Sequence, residues 1–190
     1  MSNSHIKNQE GEMKKLLMVI PLVFLLCFTV GCQKKAEEGI TEEEAKALLN
    51  TALEIWNEGN LDLIEDVFAP EIVAHTSTFP EDIVGHEGIM NWVKFARTAF
   101  PDMNMTFDEI IAKGNKIAAT FTVTGTNTGP LIMPAGELPP TGKRVRFRGI
   151  GIDYVGNGKI VRELVVYNVL DMMMQLGFTL TPPQAEEVQE

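Results

Sequence analysis

The hydrophobic period of this chain changes at Pro101, and the change limits the folds open to it. Before it, apolar residues recur every three to four positions; after it, they alternate. Thr41-Glu42-Glu43-Glu44 has the form of a capping box, in which the Thr hydroxyl and the Glu carboxylate satisfy each other's backbone N–H groups. Ala45, Leu48, Leu49, Leu53 and Trp56 follow at helical spacing, and Gly59 ends that helix. Asn60 opens a second short helix, Leu61 to Phe68, closed by Pro70. Glu71 to Ser77 reads as a short strand, Thr78 to Gly85 as a loop, and residues 87–98 as an amphipathic helix stopped by Pro101.

Period two then takes over. Strands are expected over Met105 to Ala112, Lys116 to Thr126, Arg144 to Val155 and Lys159 to Asn168. Gly114-Asn115 and Gly156-Asn157-Gly158 supply turns, and a proline-rich loop separates the second strand from the third. Ile117, Ala119, Phe121 and Val123 share one face of their strand and Thr120, Thr122 and Thr124 the other, as in a sheet covered on one side. Leu170 to Leu176 closes the pattern as a short helix. Helices followed by a run of strands predict an α+β fold. The expected form is a curved antiparallel sheet wrapped around the N-terminal helices, a cone with an apolar pocket.

The N-terminus reads as a leader. Lys14 and Lys15 precede an uncharged apolar run, Leu16 to Val30, shorter than the ~20 residues a membrane span needs and suited to a signal peptide. Thr29-Val30-Gly31-Cys32 resembles a lipobox, whose cysteine is acylated after cleavage, and Met13 makes a better start than Met1. The expected organisation is a signal peptide over residues 1–31, a lipidated tether over 32–40, one domain over 41–178 and a polar tail over 179–190. The expected location is the cell envelope, with a lipid anchor on Cys32 holding the protein to the membrane.

The two cysteines, Cys27 and Cys32, both fall in this leader region, so the domain has neither a disulfide nor a thiolate metal site. The chain carries a net charge of −10, and the leader's three lysines against two glutamates leave the remainder at −11. An acidic domain without a basic stripe excludes nucleic acid as a partner. Two separated histidines, His75 and His86, make no metal site by spacing, and no metal or cofactor is expected.

A set of short segments carries a resemblance. Asn60-Leu61-Asp62-Leu63-Ile64, Phe68-Ala69-Pro70 and His75 are followed by Phe100-Pro101-Asp102, Gly125-Thr126-Asn127-Thr128-Gly129 and Pro140-Thr141-Gly142-Lys143. Gly158-Lys159-Ile160-Val161 and Gln175-Leu176-Gly177 complete the series. In order and spacing, across residues 41–178, these resemble the SnoaL-like polyketide (ester) cyclase family of the nuclear transport factor 2-like superfamily. The resemblance implies a cone fold, often dimeric through its sheet, a small-molecule ligand, and intramolecular aldol chemistry without metal or cofactor. It also implies an acid/base carboxylate near the end of the last strand, in an apolar pocket where desolvation lifts its pKa toward neutrality. The matching position here is Asn168, which can hold a carbonyl or enolate oxygen by hydrogen bonds. Leu164 stands where the family has tryptophan, Arg162 where it has glutamate, and Asn127 where it has histidine.

The candidate acid/base residues are His75, Asp153 and Asn168; the candidate pocket residues are Trp56, Trp92, Phe121, Asn127 and Leu164. Asp153 shares one strand face with Gly149 and Gly151, glycines that make room for a sheet bend or a ligand. Family parity puts Asn168 rather than Tyr167 in the pocket. Three functions compete: a cofactor-free enzyme on a small apolar carbonyl compound, a ligand-binding lipoprotein, and a dimeric interaction module with a filled cone. The leader makes its own prediction. Cys32→Ala should release the protein from the membrane fraction or block its processing; a variant still cleaved after Gly31 and retained in membranes would refute the lipid anchor.

Overall fold

The computed structural model describes residues 39–179. The leader, Cys27, Cys32 and the tether up to residue 38 lie outside the described residues, as does the tail from residue 180. Helix α1 (Glu42–Glu58) begins at the expected capping box: the Glu44 N–H donates to Thr41 Oγ1 at 3.2 Å and the Thr41 N–H to Glu44 Oε2 at 2.9 Å. Gly59 ends the helix with φ of 73°, a backbone state that suits glycine. A 3₁₀ turn (Leu61–Leu63) leads into the single-turn α2 (Ile64–Val67).

Strand β1 (Phe68–Thr76) starts three residues before the expected Glu71 and takes in Pro70. It pairs with β8 (Lys159–Tyr167), and the register shifts between Phe68 and Val73. A proline, lacking an N–H, is tolerated at such an irregularity. The two-residue strand β2 (Ile83–Val84) falls inside the expected loop, and α3 (Gly85–Ala99) follows. Then come β3 (Asn104–Lys113), β4 (Lys116–Thr126), a small hairpin β5 (Leu131–Met133) and β6 (Gly136–Leu138), β7 (Arg144–Gly156), β8 and α4 (Val169–Gln175). The small hairpin lies in the segment expected as loop; three residues per strand are too few for a periodic signal to stand out.

The main sheet has the order β2-β1-β8-β7-β4-β3 and is antiparallel except for the parallel pair β1–β8. Those two strands are joined through most of the domain rather than by a tight turn, so no hairpin forces them antiparallel. Helix α1 packs against β3 and α3 against β1, so the helices cover one face of the curved sheet. On that face three rows run across β4, β7 and β8: Phe121–Gly149–Tyr167, Ala119–Gly151–Val165 and Ile117–Asp153–Glu163. The core gathers between these rows and the helices, with Ile55, Phe68, Ile89 and Val93 fully buried.

One buried polar residue stitches three loop segments together. Asn127, 1 % exposed, donates from Nδ2 to the carbonyls of Ala99 and Gly129, while its Oδ1 accepts from the Thr141 N–H and hydroxyl. This joins the end of α3, the Gly125–Gly129 segment and the Pro140–Lys143 segment. Asn127→Ala should therefore lower unfolding free energy by about 2–3 kcal/mol, since it strands partly buried donors and acceptors. Denaturant melts that match the parent would show that the stitch is dispensable.

Candidate active site

The acid pair follows from the register of one hairpin. The β7–β8 turn is Asn157-Gly158, with φ of 52° and 77°, which suits a two-residue loop. Next to the turn, Gly156 faces Lys159 and Val155 faces Ile160. Continued without interruption, that register would set Asp153 opposite Arg162. Instead the register shifts between Tyr154 and Val155, and Val161 is the extra residue. Tyr154 then faces Arg162, which lies over its ring at 5.3 Å, and Asp153 faces Glu163. Directly opposed residues hold their Cβ atoms about 4.5–5.5 Å apart, so two carboxyls enter the same space.

That space is lined by apolar side chains, with Asp153 buried and Glu163 partly buried. Asp153 is 4 % exposed, and neither Asp153 Oδ1 nor Glu163 Oε2 has a hydrogen-bond partner among the described residues. The lining contains no Lys, Arg or His to balance them. Burial raises the Asp153 carboxyl to about 7, and burial together with the Asp153 charge pushes Glu163 well above the usual carboxylate range. At neutral pH the pair therefore retains a proton, and its two members titrate together.

The cavity above the pair is walled by Trp56, Trp92, Phe107, Phe121, Phe147 and Tyr167, among others. Water centres have about 110 Å³ of room in it, against the ~10–15 Å³ a single water needs. Trp56 and Trp92 meet edge to face with centroids 4.8 Å apart, and Phe147 stacks on Tyr167 at 4.9 Å. A second cavity of about 80 Å³ shares Trp92, Phe147 and Tyr167 with the first and continues toward Phe79, Met133 and Met172. The Tyr167 hydroxyl is hydrogen-bonded to the Thr78 hydroxyl, and burial raises the Tyr167 pKa. Polar groups thus stand at both ends of the row Glu163, Val165, Tyr167, with apolar surface between them.

Of the residues expected from sequence, the structure brings Asp153, Trp56, Trp92 and Phe121 to this cavity. The others lie elsewhere. Over the second half of β1 the buried side chains are Ile72, Ala74 and Thr76, so His75 faces outward; its Nδ1 is 2.9 Å from Asp82 Oδ1 and both side chains are half exposed. Asn168 follows the last strand and caps α4, its Oδ1 accepting from the Asp171 N–H at 3.0 Å on the surface. It is Tyr167 that faces the cavity, which corrects the parity expected for this pair. Leu164 pairs with Ile152 and His75 on the outer parity, and Asn127 is the loop stitch already described. His86 hydrogen-bonds the Phe68 carbonyl at the start of α3. Among the described residues, no three His, Cys, Asp or Glu side chains are grouped to hold a metal ion.

Sequence reasoning missed Glu163. It placed the family's glutamate near Arg162, one residue away, and the extra residue Val161 in the strand leaves no mark in the hydrophobic pattern. The available signal was a lone acid in the apolar strand Lys159–Tyr167, on the same parity as Val165 and Tyr167.

The acid pair predicts an unusual stability profile. The folded-state pKa of Asp153 is raised above that of the unfolded chain, so the folded form keeps a proton that the unfolded form releases. The pair therefore costs nothing below the unfolded carboxyl pKa, and its cost grows as pH rises toward about 7, with Glu163 extending the decline. Each pKa unit corresponds to about 1.4 kcal/mol. Melting temperatures between pH 5 and pH 8 should fall for the parent and flatten for Asp153→Asn with Glu163→Gln. A parent whose melting temperature does not decline across this window would refute the desolvated pair.

The family model for SnoaL-like polyketide cyclase matches residues 46–176. No protein of curated function matches by sequence. Among solved structures, IdmH from Streptomyces antibioticus is 26 % identical, with a TM-score of 0.58 over 70 % of this chain and 99 % of its own. TsrD from Streptomyces laurentii is 22 % identical, with a TM-score of 0.64 over 73 % and 98 %. An LEH-like epoxide hydrolase of M. tuberculosis shares the fold at 17 % identity, with a TM-score of 0.54 over 70 % and 90 %. With the family model spanning most of the domain and the cone fold shared with these structures, the chain belongs to the SnoaL-like polyketide cyclase family.

Proposed function

We propose that this protein is an acid/base enzyme of the cyclase or isomerase type, acting on a small, neutral, apolar carbonyl compound, with Asp153 and Glu163 exchanging its protons. The observation that carries this reading is the opposition of two desolvated carboxyls, unpartnered by any cation, at the floor of an aromatic cavity. A pair held near neutrality can give and take a proton with little driving force lost either way.

The step that fits the pair is enolisation. The ionised carboxylate takes a proton from the carbon beside the carbonyl, and the C–H electrons become the C=C bond of the enol. The carbonyl π electrons move to oxygen, and the protonated carboxyl delivers its proton there. The pair ends with the same net charge and its proton on the other member, ready for the reverse transfer at a different carbon. A second carbonyl within the same ligand would let the enol carbon close a ring, the reaction type of the family name. The aromatic walls exclude water from the enol, and an anionic ligand would be repelled by the pair.

The pair removes the need for a carboxylate at Asn168. The same reading keeps the domain at the cell envelope on an acylated Cys32. It also extends to a homodimer through the outer sheet face, where cross-strand partners Ile150 and Val166 are 44 % and 45 % exposed.

The test is exchange of the α-hydrogens of 2-acetonaphthone in D₂O, followed by NMR. The parent should accelerate exchange over buffer. Asp153→Asn or Glu163→Gln should each cost about 10²–10⁴-fold, the usual worth of positioned acid/base groups, while Asn168→Ala and His75→Ala leave the rate near that of the parent. Equal exchange in the parent and in Asp153→Asn would refute the pair as the proton carrier.

A further inference from the structure

We propose that Gly151 is the specificity-determining position of the cavity: the missing side chain leaves a slot beside the acid pair, and that slot sets how large a ketone can lie against the carboxyls. The inference rests on the acid-pair reading and adds to it the shape of what the pair acts on.

Two glycines on the same face of β7 differ in what surrounds them. A Cβ at Gly149 would fall 2.8 Å from the Val166 carbonyl oxygen and clash with the Cζ edge of the Phe121 ring. That glycine is required by packing. A Cβ at Gly151 would meet nothing nearer than the Leu164 carbonyl oxygen at 4.0 Å, although Gly151 is buried and lines the cavity. Its φ lies outside the left-handed region, so the backbone does not call for glycine either. A buried glycine in an ordinary strand conformation weakens the strand. What it leaves is the empty volume itself.

The neighbours extend the slot. Gly151 sits between Ala119 and Val165 in the middle row of the inner face, with the Asp153–Glu163 row on one side and the Phe121–Gly149–Tyr167 row on the other. Small side chains thus floor the space between the acid pair and the aromatic row. A planar ring system laid over Ala119 and Gly151 would place a carbonyl at the carboxyls and its far ring against Phe121 and Tyr167. A branched side chain at 151 would occupy that floor and leave room beside the acids for a single ring only.

Gly151→Val and Gly149→Ala separate the two roles. Binding of 2-acetonaphthone and of acetophenone is measured by calorimetry for the parent and for Gly151→Val, and melting temperatures are taken for the parent and both variants. Gly151→Val should melt at or above the parent while Gly149→Ala melts below it. It should also weaken 2-acetonaphthone by about tenfold or more while changing acetophenone by less than about threefold, the scale on which small volume changes act in apolar pockets. Gly151→Val melting as low as Gly149→Ala would overturn the open space at residue 151. A parent that binds both ketones, with the same ratio of affinities in Gly151→Val, would overturn the specificity role alone. A parent that binds neither ketone would overturn the acid-pair reading and this one with it.

Discussion

The site depends on one extra residue in one strand. Strand side chains alternate faces, so a slip of a single position exchanges every partner across the pair. Val161 provides that slip between the β7–β8 turn and the acid pair. Without it, Asp153 would oppose Arg162, a pairing that gives a neutral ion pair and holds the carboxyl down. With it, Arg162 turns outward over the Tyr154 ring and Glu163 turns inward. The same shift makes Tyr167, rather than Asn168, the last inward residue of the strand. Bulges of this kind re-aim side chains, and here the re-aimed group sets a second carboxyl, rather than a cation, opposite Asp153.

The rest of the fold bears the cost of that arrangement. Two unpartnered carboxyls in an apolar cavity destabilise the folded state at neutral pH, and Gly151 leaves volume that a well-packed core would fill. The compensation is visible in the structure around the site. Ile55, Phe68, Ile89 and Val93 pack without exposure, α1 is capped at both termini, and Asn127 ties three segments together with four side-chain hydrogen bonds. Local violation of packing and polarity rules, surrounded by satisfied structure, is the pattern expected where function rather than stability has set the residues.

The polar residues show how poorly residue type alone separates chemistry from architecture. His75 and Asn168 are types that catalyse, and both serve locally, one paired with Asp82 at the surface and the other capping a helix. Asn127, also taken for a pocket residue, is buried but faces the loops. Each was singled out by its position in a family pattern, and in each case strand parity or a loop crossing decided where the side chain points.

What the sequence determined by itself were the properties that depend on neighbours along the chain. The α+β order, the capping box at Thr41, the Gly59 terminator, the Asn157-Gly158 turn and the inward face of β4 all follow from periodicity and backbone preference within a few residues, and all were legible. Trp56, Trp92, Phe121 and Asp153 could be nominated for the cavity on the same grounds. Tertiary structure alone decided which acid faces Asp153, that β1 runs parallel to β8, and that Gly151 opens onto empty space while Gly149 lies against Phe121. These are relations between strands brought together from distant parts of the chain. Their registers are set by the total fit of buried faces, and a bulge of one residue, silent in the hydrophobic pattern, is enough to change them.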